Sequence, residues 1–186
     1  MARHKRETKG KVINPKFFVF CEGETEAAYI NHLRITYRKP VEIIPKITKN
    51  QVSARLIKEI MKPIPGYDKD KVFLVYDIDV VEFLEKLQTI QKEIASVLIT
   101  SNPCFELWYL LHFINQTAEI SSYICNKKLK SYFKSYQKGS INLKMLQILD
   151  EKQSEAMVRA KNLSISNNPS SNVHLFITEL ERISNT

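Results

Sequence analysis

The pattern of apolar and polar positions changes character along the chain. Phe17 to Cys21 is an unbroken apolar run between Pro15 and Gly23, which predicts a strand buried on both faces. After Gly23 the spacing becomes helical. Ala27, Ile30 and Leu33 share a face, with Glu24, Thr25 and Glu26 at the start, where acidic groups complement the helix dipole. Val41 to Ile47 predicts a second strand, pushed toward a sheet edge by Pro45. Ser53 can cap a helix carrying Leu56, Ile57 and Ile60, and a turn follows at Pro63 to Gly66. Val72 to Tyr76 is the clearest strand and ends at Asp77. Phe83, Leu84, Leu87, Ile90 and Ile94 then trace an amphipathic helix, and Val97 to Thr100 a fourth strand. Pro103 opens an aromatic-rich helix running to about Phe113.

This alternation predicts an α/β fold with a mainly parallel sheet covered by helices. Beyond Asn115 the strand signal stops. Ile120 to Phe133, Leu143 to Leu163 and Val173 to Ile183 read as helices, and Asn168 to Asn172 as turn formers and N-caps before the last. The expected organisation is a basic flexible arm over 1–14, an α/β core over 15–115, and a helical extension over 116–186 packed on that core.

Composition narrows the class. The 186 residues are 44% hydrophobic and 26% charged, the balance of one compact domain, and no fixed-period repeat suggests a solenoid. Cys21, Cys104 and Cys125 lie far apart without a C-x-x-C pair, so neither a zinc site nor a disulfide framework is expected, and Cys21 and Cys104 read as core. No stretch approaches the ~18 apolar residues of a membrane span, and no apolar h-region follows the basic N-terminus. A cytoplasmic setting is expected. The net charge of +8 raises the expectation of an anionic partner. The excess is concentrated in Arg3, Lys5, Arg6, Lys9 and Lys11, and again in Lys127, Lys128, Lys130, Lys134 and Lys138. These runs suit a nucleic-acid backbone, or are a solvated tail and helix face.

Two acidic motifs stand at the C-terminal ends of the two strongest strands: Glu22-Gly23-Glu24-Thr25-Glu26 and Asp77-Ile78-Asp79. In an open α/β sheet the carboxyl ends of the strands form the binding crevice, so both should face it. Carboxylates gathered there repel one another unless a hard divalent cation such as Mg²⁺ or Mn²⁺ offsets them. Such ions can activate water and stabilise charge on a phosphodiester. Taken separately, Asp77 and Asp79 also fit a helix cap or a phosphatase motif, and Glu24 and Glu26 fit a helix start. Glu22 differs, since a carboxylate directly after a buried strand is costly without a partner.

At these motifs the sequence resembles the Toprim fold of topoisomerases, bacterial primases and small nucleases, whose hallmark is a Glu-Gly after the first strand and an Asp-x-Asp after a later one. That resemblance implies metal-dependent chemistry at Glu22, Asp77 and Asp79, with Glu26 a further ligand one helical turn on. The length leaves no room for the large extra domains of topoisomerases and primases, so strand passage and primer synthesis are not expected. A longer resemblance rests on Phe18 to Glu26, on Ser101-Asn102-Pro103-Cys104-Phe105-Glu106-Leu107-Trp108 with Leu111-His112-Phe113, and on Asn168 to His174. Together these are similar to the RloB family of Toprim-like proteins, commonly encoded beside an AAA or ABC-type ATPase in restriction-modification and phage-defence loci. One departure is Ile78, where that family usually has Arg between the aspartates.

The resemblance implies a defence effector: a divalent-metal-dependent nuclease for DNA or RNA, working with an ATPase partner. Glu22, Glu26, Asp77 and Asp79 would hold Mg²⁺ or Mn²⁺. Lys5, Arg6, Lys127, Lys128, Lys130 and Lys134 would grip nucleic acid. Asn102 and Glu106 either support the site or cap the helix opening at Pro103. Trp108, Leu111 and Phe113 read as core, His112 as a packed histidine rather than a general base, and Asn168, Asn172 and His174 as N-cap chemistry. The competing reading is a non-catalytic subunit that binds nucleic acid or the ATPase. Homo-oligomerisation stays open.

Overall fold

The computed structural model describes residues 15–64 and 70–184. The basic arm, with Lys5 and Arg6, lies outside the described residues, as does the part of the expected turn at Pro65 and Gly66. Four strands, β1 (Phe17–Cys21), β2 (Val41–Ile44), β3 (Lys71–Asp77) and β4 (Val97–Asn102), run parallel, and a short fifth, β5 (Ser170–Ser171), lies antiparallel to β4. The sheet order is β2-β1-β3-β4-β5. The protein is therefore an α/β fold with a mostly parallel sheet, flanked by helices and followed by a helical C-terminal part.

Period-two alternation divides the strands between two cores. Phe17, Val19 and Cys21 of β1, with Phe73 and Val75 of β3, enter a larger cluster. It also takes side chains from α1 (Glu24–Tyr37), α4 (Glu106–Leu111), α5 (Ser122–Tyr132), α6 (Leu143–Glu151), α7 (Gln153–Lys161) and α8 (Val173–Ser184). Phe18, Phe20, Leu74 and Tyr76 turn to the other face and pack under α2 (Ala54–Met61) and α3 (Val81–Ile94). Continuous apolar strands arise because both faces are covered. All three cysteines are free and buried. No helix among the described residues is long and apolar enough to cross a membrane.

Several local expectations are corrected. The helix expected to open at Pro103 begins at Glu106, after a cis Asn102–Pro103 peptide and with no side-chain cap. The Asn102 amide instead donates to the Ser166 carbonyl at 3.2 Å, so the capping account of Asn102 and Glu106 fails. The helix expected over Leu143 to Leu163 is two, broken at Lys152 (φ −103°, ψ 7°). The strand signal does not end at Asn115, because Ser170 and Ser171 pair with Asn102 and Ser101. Two-residue strands leave no alternation to detect.

Asn168 and Asn172 mimic backbone rather than capping helices with their side chains. An amide carries the same donor and acceptor as a peptide unit. Asn172, 7% exposed, accepts from Thr100 N at 2.6 Å and donates to Leu98 O at 3.1 Å, continuing the β4 edge where β5 stops. Asn168 bonds both N and O of Ile120 at 3.1 and 2.9 Å. Truncation of Asn172 leaves the buried Thr100 N–H and the partly buried Leu98 C=O without these partners. Asn172→Ala is therefore expected to cost about 2 kcal/mol in urea unfolding, against almost nothing for the exposed Asn162→Ala.

Candidate functional site

Because β1, β3 and β4 are adjacent and parallel, the residues that follow them converge on one rim. Alternation sends Asp77, the last residue of β3, to the same face as Phe73 and Val75, toward α1 and α4. The first turn of α1 brings Glu26 there and the first residue of α4 brings Glu106; they are 4% and 0% exposed. Burial holds the Asp77 carboxyl well above its ordinary range, and the charges of Glu26 and Glu106 push the same way, while Lys138 and Lys49 oppose. Glu26 is likewise raised by burial, then lowered by a backbone hydrogen bond, with Glu106 and Glu22 raising it and Lys138 lowering it. One oxygen of each acid (Glu26 Oε2, Asp77 Oδ1, Glu106 Oε2) is buried without a hydrogen-bond partner.

Two glycines let the chain close on this cluster. A Cβ at Gly23 would lie 2.3 Å from Glu26 Oε2, so the glycine makes room for the carboxylate folded back over the start of α1. This gives the Glu-Gly pair a steric meaning. Gly139, at φ +80°, donates its N–H to Thr25 Oγ1 at 2.9 Å, and a Cβ there would stand 3.0 Å from Glu24. Three residues earlier, the buried Tyr136 hydroxyl donates to Glu106 Oε1 at 2.9 Å. Between these anchors the exposed Lys138 lies near enough for its charge to act on Asp77 and Glu26. Its basicity is raised: burial lowers it, but the charges of Glu106, Asp77 and Glu26 outweigh that. By sequence alone Lys138 falls in an open basic run with Lys127, Lys128, Lys130 and Lys134. The available signal was a tyrosine and a glycine interrupting the lysines.

The other acidic candidates are placed differently. Glu22 is half-buried beside Glu26. Asp79 is exposed and paired with Lys49, whose ammonium also lies 5.3 Å from the centre of the Phe83 ring. Ile78, 3% exposed, belongs to the core cluster under α2 and α3, and its N–H donates to Ser101 O at 2.9 Å. The position between the aspartates thus points into the core, and Lys49 supplies the cation beside Asp79. His112 is buried, donating Nδ1–H to Trp108 O at 2.8 Å, and burial lowers its pKa to about 4. It remains a neutral core residue. Lys128 is tied to Gln116 Oε1 at 2.8 Å, whereas Lys127 and Lys130 line an open cavity of ≈ 270 Å³ with Tyr123 and Asn126. Lys134 is exposed beyond the end of α5.

Among the described residues, no three His, Cys, Asp or Glu side chains stand in a position to hold a metal ion in this conformation. The donor chemistry nonetheless fits a hard cation, since Glu26, Asp77 and Glu106 each offer an unpartnered carboxylate oxygen. Residues 17–180 match a family model described as RloB-like protein. No curated protein and no solved structure matches the chain.

The raised acids give a pH dependence of known sign. A carboxyl whose folded value exceeds its unfolded value of about 4 contributes stability below that value, which is lost as pH rises through the folded one. Urea unfolding of the metal-free protein is expected to show stability falling from about pH 4 toward neutrality, as Asp77 and Glu26 ionise. Asp77→Asn, which cannot ionise, should flatten the slope and exceed the wild type in stability at neutral pH. An unchanged slope would remove Asp77 from the buried cluster.

Proposed function

The chain belongs to the RloB-like family, and from that premise we propose that it is a divalent-metal-dependent, Toprim-type nuclease that hydrolyses phosphodiester bonds of nucleic acid. The observation that carries this reading is the trio of unpartnered carboxylate oxygens on Glu26, Asp77 and Glu106 at the ends of parallel strands. Asp77, Glu26 and Glu106 would hold Mg²⁺ or Mn²⁺, with Glu22 at the rim. Bound there, the ion supplies charge neutralisation on the phosphate and an activated water. Lys138 would meet negative charge developing on a phosphate oxygen. Tyr136 holds Glu106 in orientation through Oε1, leaving Oε2 free. The raised proton affinity of Asp77 and Glu26 lets either hold a proton in the metal-free site. A role in phage defence beside an ATPase belongs to the same proposal and rests on the resemblance of the motifs.

A second reading, a non-catalytic subunit that binds nucleic acid or the ATPase, is favoured by one observation: Lys138 already supplies a positive charge to the cluster. Calorimetry with Mn²⁺ and Mg²⁺ separates the two. Wild-type protein is expected to bind, Asp77→Asn to lose binding, and Lys138→Met to bind several-fold more tightly because a competing cation is gone. Gly23→Ala, whose Cβ displaces Glu26, should weaken the metal about tenfold with the fold intact. In a nuclease assay, Asp77→Asn should abolish cleavage and leave nucleic-acid binding in place. Salt-sensitive binding without turnover under either metal would put the non-catalytic reading in its place.

A further inference from the structure

The outer face of α5 carries chemistry that the acidic site does not use. Its inner face is apolar, with Cys125 and Leu129 buried in the larger core, and Lys128 is engaged by Gln116. Tyr123, Lys127 and Lys130 follow at spacings of four and three, so they form a separate stripe. Tyr123 is 73% exposed. Among the described residues it packs on no other ring, in contrast to Tyr132, which stacks on Phe113 at 4.4 Å. Neither Lys127 nor Lys130 has an acidic partner among the described residues. With Asn126 these side chains enclose the open cavity of ≈ 270 Å³.

The position of this stripe matters as much as its composition. At one end of α5, Ser122 Oγ donates to Pro103 O at 3.4 Å, directly after β4. Beyond the other end, Tyr136 is fixed to Glu106 and Gly139 to Thr25. The helix is thus tied at both ends to the rim that carries the carboxylates, and Lys134 and Lys138 continue the positive charge toward them. A solvent-facing aromatic ring beside two unpaired ammonium groups suits a ligand with flat faces and regularly spaced negative charge. Duplexes keep their base faces stacked against one another, so only unpaired bases can use such a ring.

We propose that the Tyr123–Lys127–Lys130 face of α5 is a platform for single-stranded nucleic acid, a base stacking on Tyr123 while the two lysines take flanking phosphates. This deepens the nuclease reading by naming unpaired strands as its substrate, yet binding does not depend on cleavage. The test is fluorescence anisotropy in EDTA, with short single-stranded RNA and DNA oligonucleotides and their duplexes, on the full chain carrying Asp77→Asn. Single strands are expected to bind more tightly than duplexes. Tyr123→Ala should weaken them about tenfold while Tyr123→Phe retains binding. The pair Lys127→Ala/Lys130→Ala should reduce the salt slope by about 1.4. These positions are exposed, so circular dichroism and thermal midpoints should match the parent. Equal binding by Tyr123→Ala and its parent, or duplexes bound as tightly as single strands, would overturn the proposal. Absence of metal binding or cleavage in the wild type would sink the nuclease reading and leave this result intact.

Discussion

Three carboxylates share one poorly hydrated rim, and most of the molecule's specific features answer the cost of that arrangement. Glu26, Asp77 and Glu106 reach the rim because β1, β3 and β4 lie side by side in parallel. Like charges at short range in low dielectric either take up protons or attract a cation. The protein does some of each: burial and mutual repulsion raise the proton affinity of Asp77 and Glu26, and Lys138 brings in a positive charge. The oxygens still unpartnered are the chemical capacity left for a ligand.

That answer draws on chain segments far apart in sequence. Lys138 sits more than sixty residues beyond Asp77, held by Tyr136 on Glu106 and by Gly139 on Thr25. The C-terminal helices therefore shape the site as well as filling the core. Their side chains join those of β1 and β3 in one cluster, and β5 with Asn172 completes the sheet edge beside β4. The Tyr136 hydrogen bond to Glu106 ties the segment that follows α5 to the carboxylates, and the outer face of that helix carries Tyr123, Lys127 and Lys130.

The opposite face of the sheet makes a contrast with the same ingredients. Asp79 lies past the strand end, outside the alternation that directs Asp77, and is neutralised by Lys49 in an exposed pair. Exposed pairs contribute little to stability, so this one is better understood as placing a cation at the rim than as holding the fold. Ile78 anchors the turn between the two aspartates by filling the core beneath α2 and α3.

Much of this was legible in the sequence by itself. Unbroken apolar runs announced β1 and β3, because a parallel strand covered on both faces needs no polar alternation, and Pro45 marked the edge beside β2. The Phe18 to Glu26 run, the Ser101 to Trp108 segment with Leu111 to Phe113, and Asn168 to His174 carried the resemblance to the family that the match over residues 17–180 shows. What the sequence left open was decided by tertiary contact. It could not separate Asp77 from Asp79, since only the pairing of β3 and the position of Lys49 send them to different surroundings. It left Glu106 open between a supporting site role and a helix cap, because the choice follows from the late start of α4. Nor could it distinguish Lys138 from its neighbours in a basic run, or find a two-residue strand. Local periodicity reports which face a residue takes within its own element; which charges finally meet depends on how distant elements close around one another.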